Sequence, residues 1–288
     1  MRDTEVSTPA DEMPWPVVSP FRMRPGLARL APATEVPPSP LFVRDGLAPI
    51  YAARKRAVLQ THHGLSHIGQ AEPAVLQAIA EAYAAQTGVA IAPDTRALAE
   101  DMQEDFVVLH DEPGDGFRAH FLSVCFPSNW NPSEKLGLDF MAIHAPVADN
   151  ALLQAGARGI VDMAFRQAPM LRHVWLLTPN GDLAQHPETR RARWEDALAA
   201  ADAPGASGRL IDRVFFRVER QTTLPLPALR RGVFFIRVMV APLAQVLAVA
   251  PGRAAELAEA LASMSEAVVT YRGMTAVRGR LCAELRPS

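Results

Sequence analysis

The sequence predicts an α+β protein, an antiparallel sheet with helices laid on it. Two patterns carry this expectation. Strand-like and helix-like stretches mix along the chain without the strict strand–helix alternation that marks a parallel sheet. Two of the strand-like stretches, Phe106-Val107-Val108-Leu109 and residues 117–124, are joined by a turn, Glu112-Pro113-Gly114-Asp115-Gly116.

Residues 1–40 hold nine of the 25 prolines, including Pro14, Pro16, Pro37, Pro38 and Pro40. Proline lacks an amide hydrogen and restricts the residue before it, so this stretch reads as an extended arm, neither helical nor sheet-forming. Trp15, Phe21 and Met23 give it apolar groups to pack on the body, which is expected to be a single domain over residues 41–288. Glu72-Pro73 then opens a helix that places Val75, Leu76, Ile79 and Tyr83 on one face and ends at Gly88. A shorter helix is expected from 94 to about 102, before the two strands. Asn131-Pro132-Ser133-Glu134 has the form of a helix start, with Asn at the N-cap and Pro at the first helical position. Leu136, Phe140 and Ile143 repeat behind it at helical spacing, and Pro146 stops the helix near His144. A further helix is expected over 150–165, strands over 171–177, 210–220 and 232–240, and a last helix from Pro251 with Leu257, Leu261 and Met264 as its buried stripe.

At 288 residues, 49% hydrophobic and 21% charged, the chain can bury a substantial core without staples. Its 29 basic and 31 acidic residues give a net charge of −2, which offers no electrostatic reason to bind nucleic acid or an anionic membrane. Asp3, Glu5, Asp11 and Glu12 occupy the region where a signal peptide needs basic and then apolar residues, and no run approaches the roughly 20 apolar residues of a membrane span. Two cysteines far apart, Cys125 and Cys282, suit a reducing cytoplasm and give no zinc or iron–sulfur pattern. A soluble, cytoplasmic protein is expected.

His144 is the first candidate for chemistry. An imidazole leaving a helix end beside Phe140 and Ile143 can be aimed into a pocket, as an axial haem ligand must be. It can equally cap the last carbonyls of its helix, and on spacing alone the capping role leads. In Arg217-Val218-Glu219-Arg220-Gln221, strand alternation puts Arg217, Glu219 and Gln221 on one face. The strand is otherwise apolar, so Glu219 is expected to be partly buried and to need a cationic partner, whether an arginine or a substrate. A structural ion pair is the leading reading from these residues alone. His63 and His67 sit four apart, but no carboxylate or cysteine lies beside them to complete a metal site. Ser128, Ser133 and Lys135 suggest a serine–lysine nucleophile only superficially, since Ser133 belongs to the helix start.

Taken in order, several segments carry a resemblance: Glu104-Asp105-Phe106, Pro127-Ser128-Asn129-Trp130 with Glu134-Lys135-Leu136-Gly137, Ile143-His144-Ala145-Pro146-Val147, Arg217 to Thr222, and Tyr271-Arg272-Gly273. With these, the chain resembles the haem-dependent oxidative N-demethylase family, the haem subunit of dimethylamine monooxygenase-type systems. Thr223 stands where that family's pattern has an arginine ahead of the Leu-Pro pair, and Val174 stands where it has a polar residue.

The resemblance implies that residues 41–288 form a PAS-like domain binding haem b, with His144 the ligand to iron. It implies a partner reductase carrying NAD(P)H, flavin and an iron–sulfur cluster, and a monooxygenase reaction in which O2 is consumed and a secondary or tertiary methylamine loses formaldehyde. Glu219 is then the residue expected to hold the alkylammonium group. Arg217, Arg220 and Lys135 are expected to bind the haem propionates or to fix Glu219. The alternative is a haem-binding PAS-like sensor or carrier without catalysis, because fold alone does not decide between them.

Overall fold

The structure is a computed structural model that describes residues 7–31, 39–114 and 116–286. Pro37, Pro38 and the turn residue Asp115 lie outside the described residues. The chain opens with a short strand, β1 (Ala28–Arg29), followed by helix α1 (Ala48–Ser66) and a second short strand, β2 (His67–Gly69). Helices α2 (Pro73–Thr87) and α3 (Thr95–Asp101) precede the strand pair β3 (Asp105–Glu112) and β4 (Gly116–Ser123). A long connection holds a 3₁₀ turn (Pro132–Lys135), α4 (Phe140–His144), α5 (Ala151–Asp162) and a π-helical turn (Met163–Gln167), and leads to β5 (Met170–Thr178). After α6 (Trp194–Ala201) and a 3₁₀ turn (Leu210–Arg213) come the long strands β6 (Phe215–Leu226) and β7 (Arg231–Pro242). Helices α7 (Leu243–Ala248), α8 (Arg253–Ala262), α9 (Glu266–Tyr271) and α10 (Arg278–Leu285) follow.

The seven strands form one sheet in the order β1-β5-β6-β7-β3-β4-β2, and every pairing is antiparallel. The protein is α+β, as its mixed pattern predicts.

Alternation along the strands gives the sheet two different faces. On one face, Phe106, Val108, Val233 and Phe235 pack under α2 and α3, while Trp175, Phe216, Val218 and Met239 pack under α6 and α8 to α10. Met13, Val17 and Phe21 of the N-terminal arm are buried in this second cluster. Trp15 stacks on Phe216 at 5.2 Å and its indole nitrogen donates to Glu256 at 2.7 Å. The opposite face carries Val107, Leu122, Ile236, Val238 and Val240, covered by α1, the 125–131 loop and the π-helical turn. That turn is seated by Gly232: a Cβ there would lie 2.6 Å from the Phe165 ring.

Several expected boundaries hold. Helix α2 starts at Pro73 and ends at Gly88 in the left-handed conformation, and Asp94 caps α3 through Arg96 and Ala97. The helix expected to run from 131 to 144 is instead two short pieces. Gly137 adopts φ +75°, Leu138 and Gly137 bond back to Ala119 of β4, and Asp139 recaps α4 through Ala142. Strand β6 begins later than expected, because Leu210–Arg213 forms a 3₁₀ turn. Helices α1, α6, α7, α9 and α10 were not expected. Cys125 and Cys282 are both free and buried, and no helix among the described residues is long and apolar enough to cross a membrane.

Candidate functional site

Glu219 sits at the centre of β6 and is only 7% exposed. Its neighbours across the two flanking strands are Val174 of β5 and Val238 of β7, so the sheet itself surrounds the carboxylate with apolar groups. Two side chains hold its oxygens. Ser128 donates to one, and the Gln221 amide donates to the other at 2.7 Å. A carboxylate has about four acceptor positions, so capacity remains for a further donor.

Ser128 is itself fixed by Arg217, whose Nε donates to the serine oxygen at 2.7 Å. The rest of the Arg217 guanidinium donates to the carbonyls of Phe126, Pro127, Asp182 and Leu183. Burial lowers its pKa to about 10, which leaves it charged at neutral pH. Arg217, fully buried, thus ties two loops together and orients Glu219 through Ser128. The two loops also pair directly, since Asn129 bonds to the Gln185 carbonyl and Gln185 to that of Pro127. Their base is anchored by Asp105, which accepts from the Phe126 amide at 2.8 Å and pairs with buried Lys55 at 2.9 Å. The Glu104-Asp105 pair of the sequence therefore serves the site as scaffold.

His144 ends α4 and is half-buried, its ring 4.1 Å from that of Phe140. Its Nδ1 lies 2.8 Å from the Phe140 carbonyl. A carbonyl can only accept, so the ring proton is on Nδ1 and Nε2 presents its lone pair. Nε2 makes no hydrogen bond among the described residues. Burial holds the His144 pKa below its ordinary value, and the charges of Arg172 and Lys135 push it down further, so the ring is neutral at pH 7. Lys135 is half-buried in the 3₁₀ turn and has no hydrogen-bond or ion-pair partner among the described residues.

Arg220 is not part of this arrangement. It points to the opposite face of the sheet, where it donates to the carbonyls of Pro40 and Leu41 and holds the end of the arm. Sequence reasoning passed over Arg172, which shares the Glu219 face two residues from Val174, and left the task of Ser128 unread. It also gave no role to Tyr271, whose hydroxyl pKa is raised by burial and then by the charge of Glu219. Arg272 lies 4.7 Å from the Phe21 ring and 5.0 Å from that of Trp175, and donates to the Trp175 carbonyl on the outer side of β5. It keeps the Tyr271 turn against the strand.

His63 and His67 line a separate cavity of about 390 Å³ with Gly69, Gln70, Ala71, Thr95 and Phe121. Among the described residues no group of three or more His, Cys, Asp or Glu side chains is placed to hold a metal ion.

A family model for haem-dependent oxidative N-demethylase, alpha subunit-like proteins matches residues 78–282, a span that contains Ser128, Lys135, His144, Arg217 and Glu219. The chain belongs to this family. No curated protein matches the sequence. Family membership implies haem, and the site can be tested for it. Haem iron can be held by a neutral imidazole with one nitrogen free, and His144 has that form through its bond to Phe140. Haem also needs cations for its propionates, and Lys135 is unpartnered beside His144. Exposed apolar side chains at Leu136, Met141, Leu152 and Met163 on the surrounding turns and helices are of the kind a porphyrin covers. The residues present fit the group.

Proposed function

We propose that this chain is the haem-carrying subunit of a monooxygenase that removes a methyl group, as formaldehyde, from a secondary or tertiary methylamine. The observation that carries this reading is an oriented, neutral His144 and a buried Glu219 that both feel the charge of Arg172, which lies on the Glu219 face of the sheet. Bound haem b would supply the dioxygen chemistry, with electrons from a partner reductase that carries NAD(P)H, flavin and an iron–sulfur cluster.

The protein's own residues have distinct tasks. His144 would offer Nε2 to the iron, held in direction by Phe140, and Lys135 would meet a propionate. Glu219 takes the alkylammonium group through its remaining acceptor positions, and a charge-assisted hydrogen bond there fixes the orientation of the amine. Val174 and Val238 give the methyl groups an apolar wall and exclude water from the carboxylate. Ser128 and Gln221 stop Glu219 from rotating, so the amine is held in one pose. The PAS-like reading is supported by the antiparallel sheet with its helices inserted between β4 and β5.

An absorption spectrum of the purified protein, before and after reduction, tests the cofactor. A Soret band is expected that shifts on reduction and is lost or displaced in His144→Ala; an unchanged spectrum in that variant removes His144 from the ligand position. Reductant-dependent formaldehyde release over a panel of methylamines tests catalysis. Full haem loading with a competent reductase and no turnover would leave a sensor or carrier.

A further inference from the structure

Arg172 is the one charged group on the Glu219 face whose function is not accounted for. It lies on β5 opposite Gln221, one same-face step of about 7 Å from Val174, the cross-strand neighbour of Glu219. Its Nε is buried and unpartnered, and no part of its guanidinium makes a hydrogen bond or a close ion pair among the described residues. Burial lowers its pKa while the charge of Glu219 raises it, so the two groups feel each other without touching. Both Glu219 oxygens are already held by Ser128 and Gln221.

A buried N–H without an acceptor is costly, and the two Nη groups of Arg172 keep access to solvent, the side from which a ligand can complete the guanidinium. The local charge points the same way. Arg172 and Arg217 set two fixed positive charges against the single Glu219 carboxylate, and Lys135 approaches from the His144 side. An alkylammonium alone would add to that excess.

We propose that Arg172 anchors a carboxylate brought into the site by a bound ligand. Its planar fork suits a carboxylate in bidentate geometry. Two molecules could bring that group: the haem, through a propionate, or the amine substrate, which would then be an N-methyl amino acid rather than a simple alkylamine. The anchor itself follows from Arg172 and its surroundings; only the list of ligands rests on the proposed N-demethylase function.

Titration of the full-length apoprotein with haem and with haem dimethyl ester, followed at the Soret band, separates the sources. If the propionate is the partner, the wild type binds haem about tenfold or more tightly than the ester, and Arg172→Gln reduces that preference severalfold, leaving only the share of Lys135. Lys135→Gln, run in parallel, measures the separate share of Lys135. If the substrate supplies the carboxylate, Arg172→Gln takes up haem normally. Sarcosine then perturbs the loaded wild type at about tenfold lower concentration than dimethylamine does, and the variant loses this preference. Arg172→Lys keeps the charge without the fork and is expected to fall between the two, so it decides the matter if the glutamine variant does not fold.

A protein that takes up neither porphyrin defeats the N-demethylase reading. The anchor is then judged by calorimetry of sarcosine binding to the haem-free chain, wild type against Arg172→Gln. Preferences that are absent in the wild type, or that survive intact in Arg172→Gln, overturn the proposal.

Discussion

Ser128 shows how much of this site depends on a single hydroxyl. It accepts from Arg217 and donates to Glu219, so one oxygen joins a loop anchor to the proposed substrate carboxylate. Ser128→Ala leaves a buried donor and a buried acceptor without partners, a loss of about 2 kcal/mol in urea denaturation. It also frees Glu219 to turn, so amine KM is expected to rise more than kcat falls. A second effect belongs to two histidines outside the site. Burial holds both His67 and His173 at a pKa of about 4, with His63 and Arg220 respectively adding to the depression. Unfolded histidine titrates near 6.5, so between about pH 4 and 6.5 the unfolded chain binds more protons and stability falls as pH falls. Allowing for partial solvent access, each contributes on the order of 1–2 kcal/mol to that slope. His173→Gln should flatten the pH dependence of the urea midpoint across this window while changing little at pH 7.5. At this scale the sequence was informative about residue type and uninformative about surroundings. Glu219 and His144 could be singled out as a carboxylate in an apolar strand and an imidazole at a helix end. Arg172 could not, since nothing in Leu-Arg-His-Val distinguishes a guanidinium with a buried, unpartnered Nε from one fully in water.

Among the elements, the clearest dependence on a single position is in β2. Gly69 adopts φ +87°, and a Cβ there would lie 2.1 Å from the His120 carbonyl on the neighbouring strand β4. No side chain can move to relieve a clash with backbone, so Gly69→Ala should destabilise by about 2–4 kcal/mol and lower the melting temperature accordingly. The helices show what periodicity can and cannot reveal. Helix α2 was legible because proline opens it, glycine ends it and its apolar stripe is unbroken. Helix α1 was not, because its buried stripe runs through Tyr51, Lys55 and Leu59, and a lysine at the core position reads as polar. That lysine is buried to pair with Asp105, a partner some fifty residues away that no local pattern can supply. The single helix expected over 131–144 failed for the opposite reason. Its apolar spacing is real, but Gly137 takes a left-handed turn to let the loop bond to Ala119, and tertiary pairing overrides the local preference.

For the molecule as a whole, the N-terminal arm belongs to the fold. The apolar side chains within it pack on the body as expected, while residues 28–29 pair with β5 where the prolines predicted neither helix nor sheet. Trp15 lies between Phe216 and the Arg253 guanidinium, and bonds to Glu256. Trp15→Ala is therefore expected to cost about 2–3 kcal/mol, read as a lower denaturation midpoint with the cooperative slope retained. The α+β class was legible because it depends only on the kinds of element present. The order of strands was not, since it depends on which edges meet.

The arm has a consequence for how the protein is made. Trp15 and Phe21 find their hydrogen-bond partners 241 and 242 residues downstream, at Glu256 and Ser263. At roughly 5–20 residues per second, a ribosome leaves those rings without a home for tens of seconds. The arm is thus made well before its partners and is among the last parts to settle, and a chain stalled before α8 emerges would carry a sticky, proline-stiffened segment in need of a chaperone.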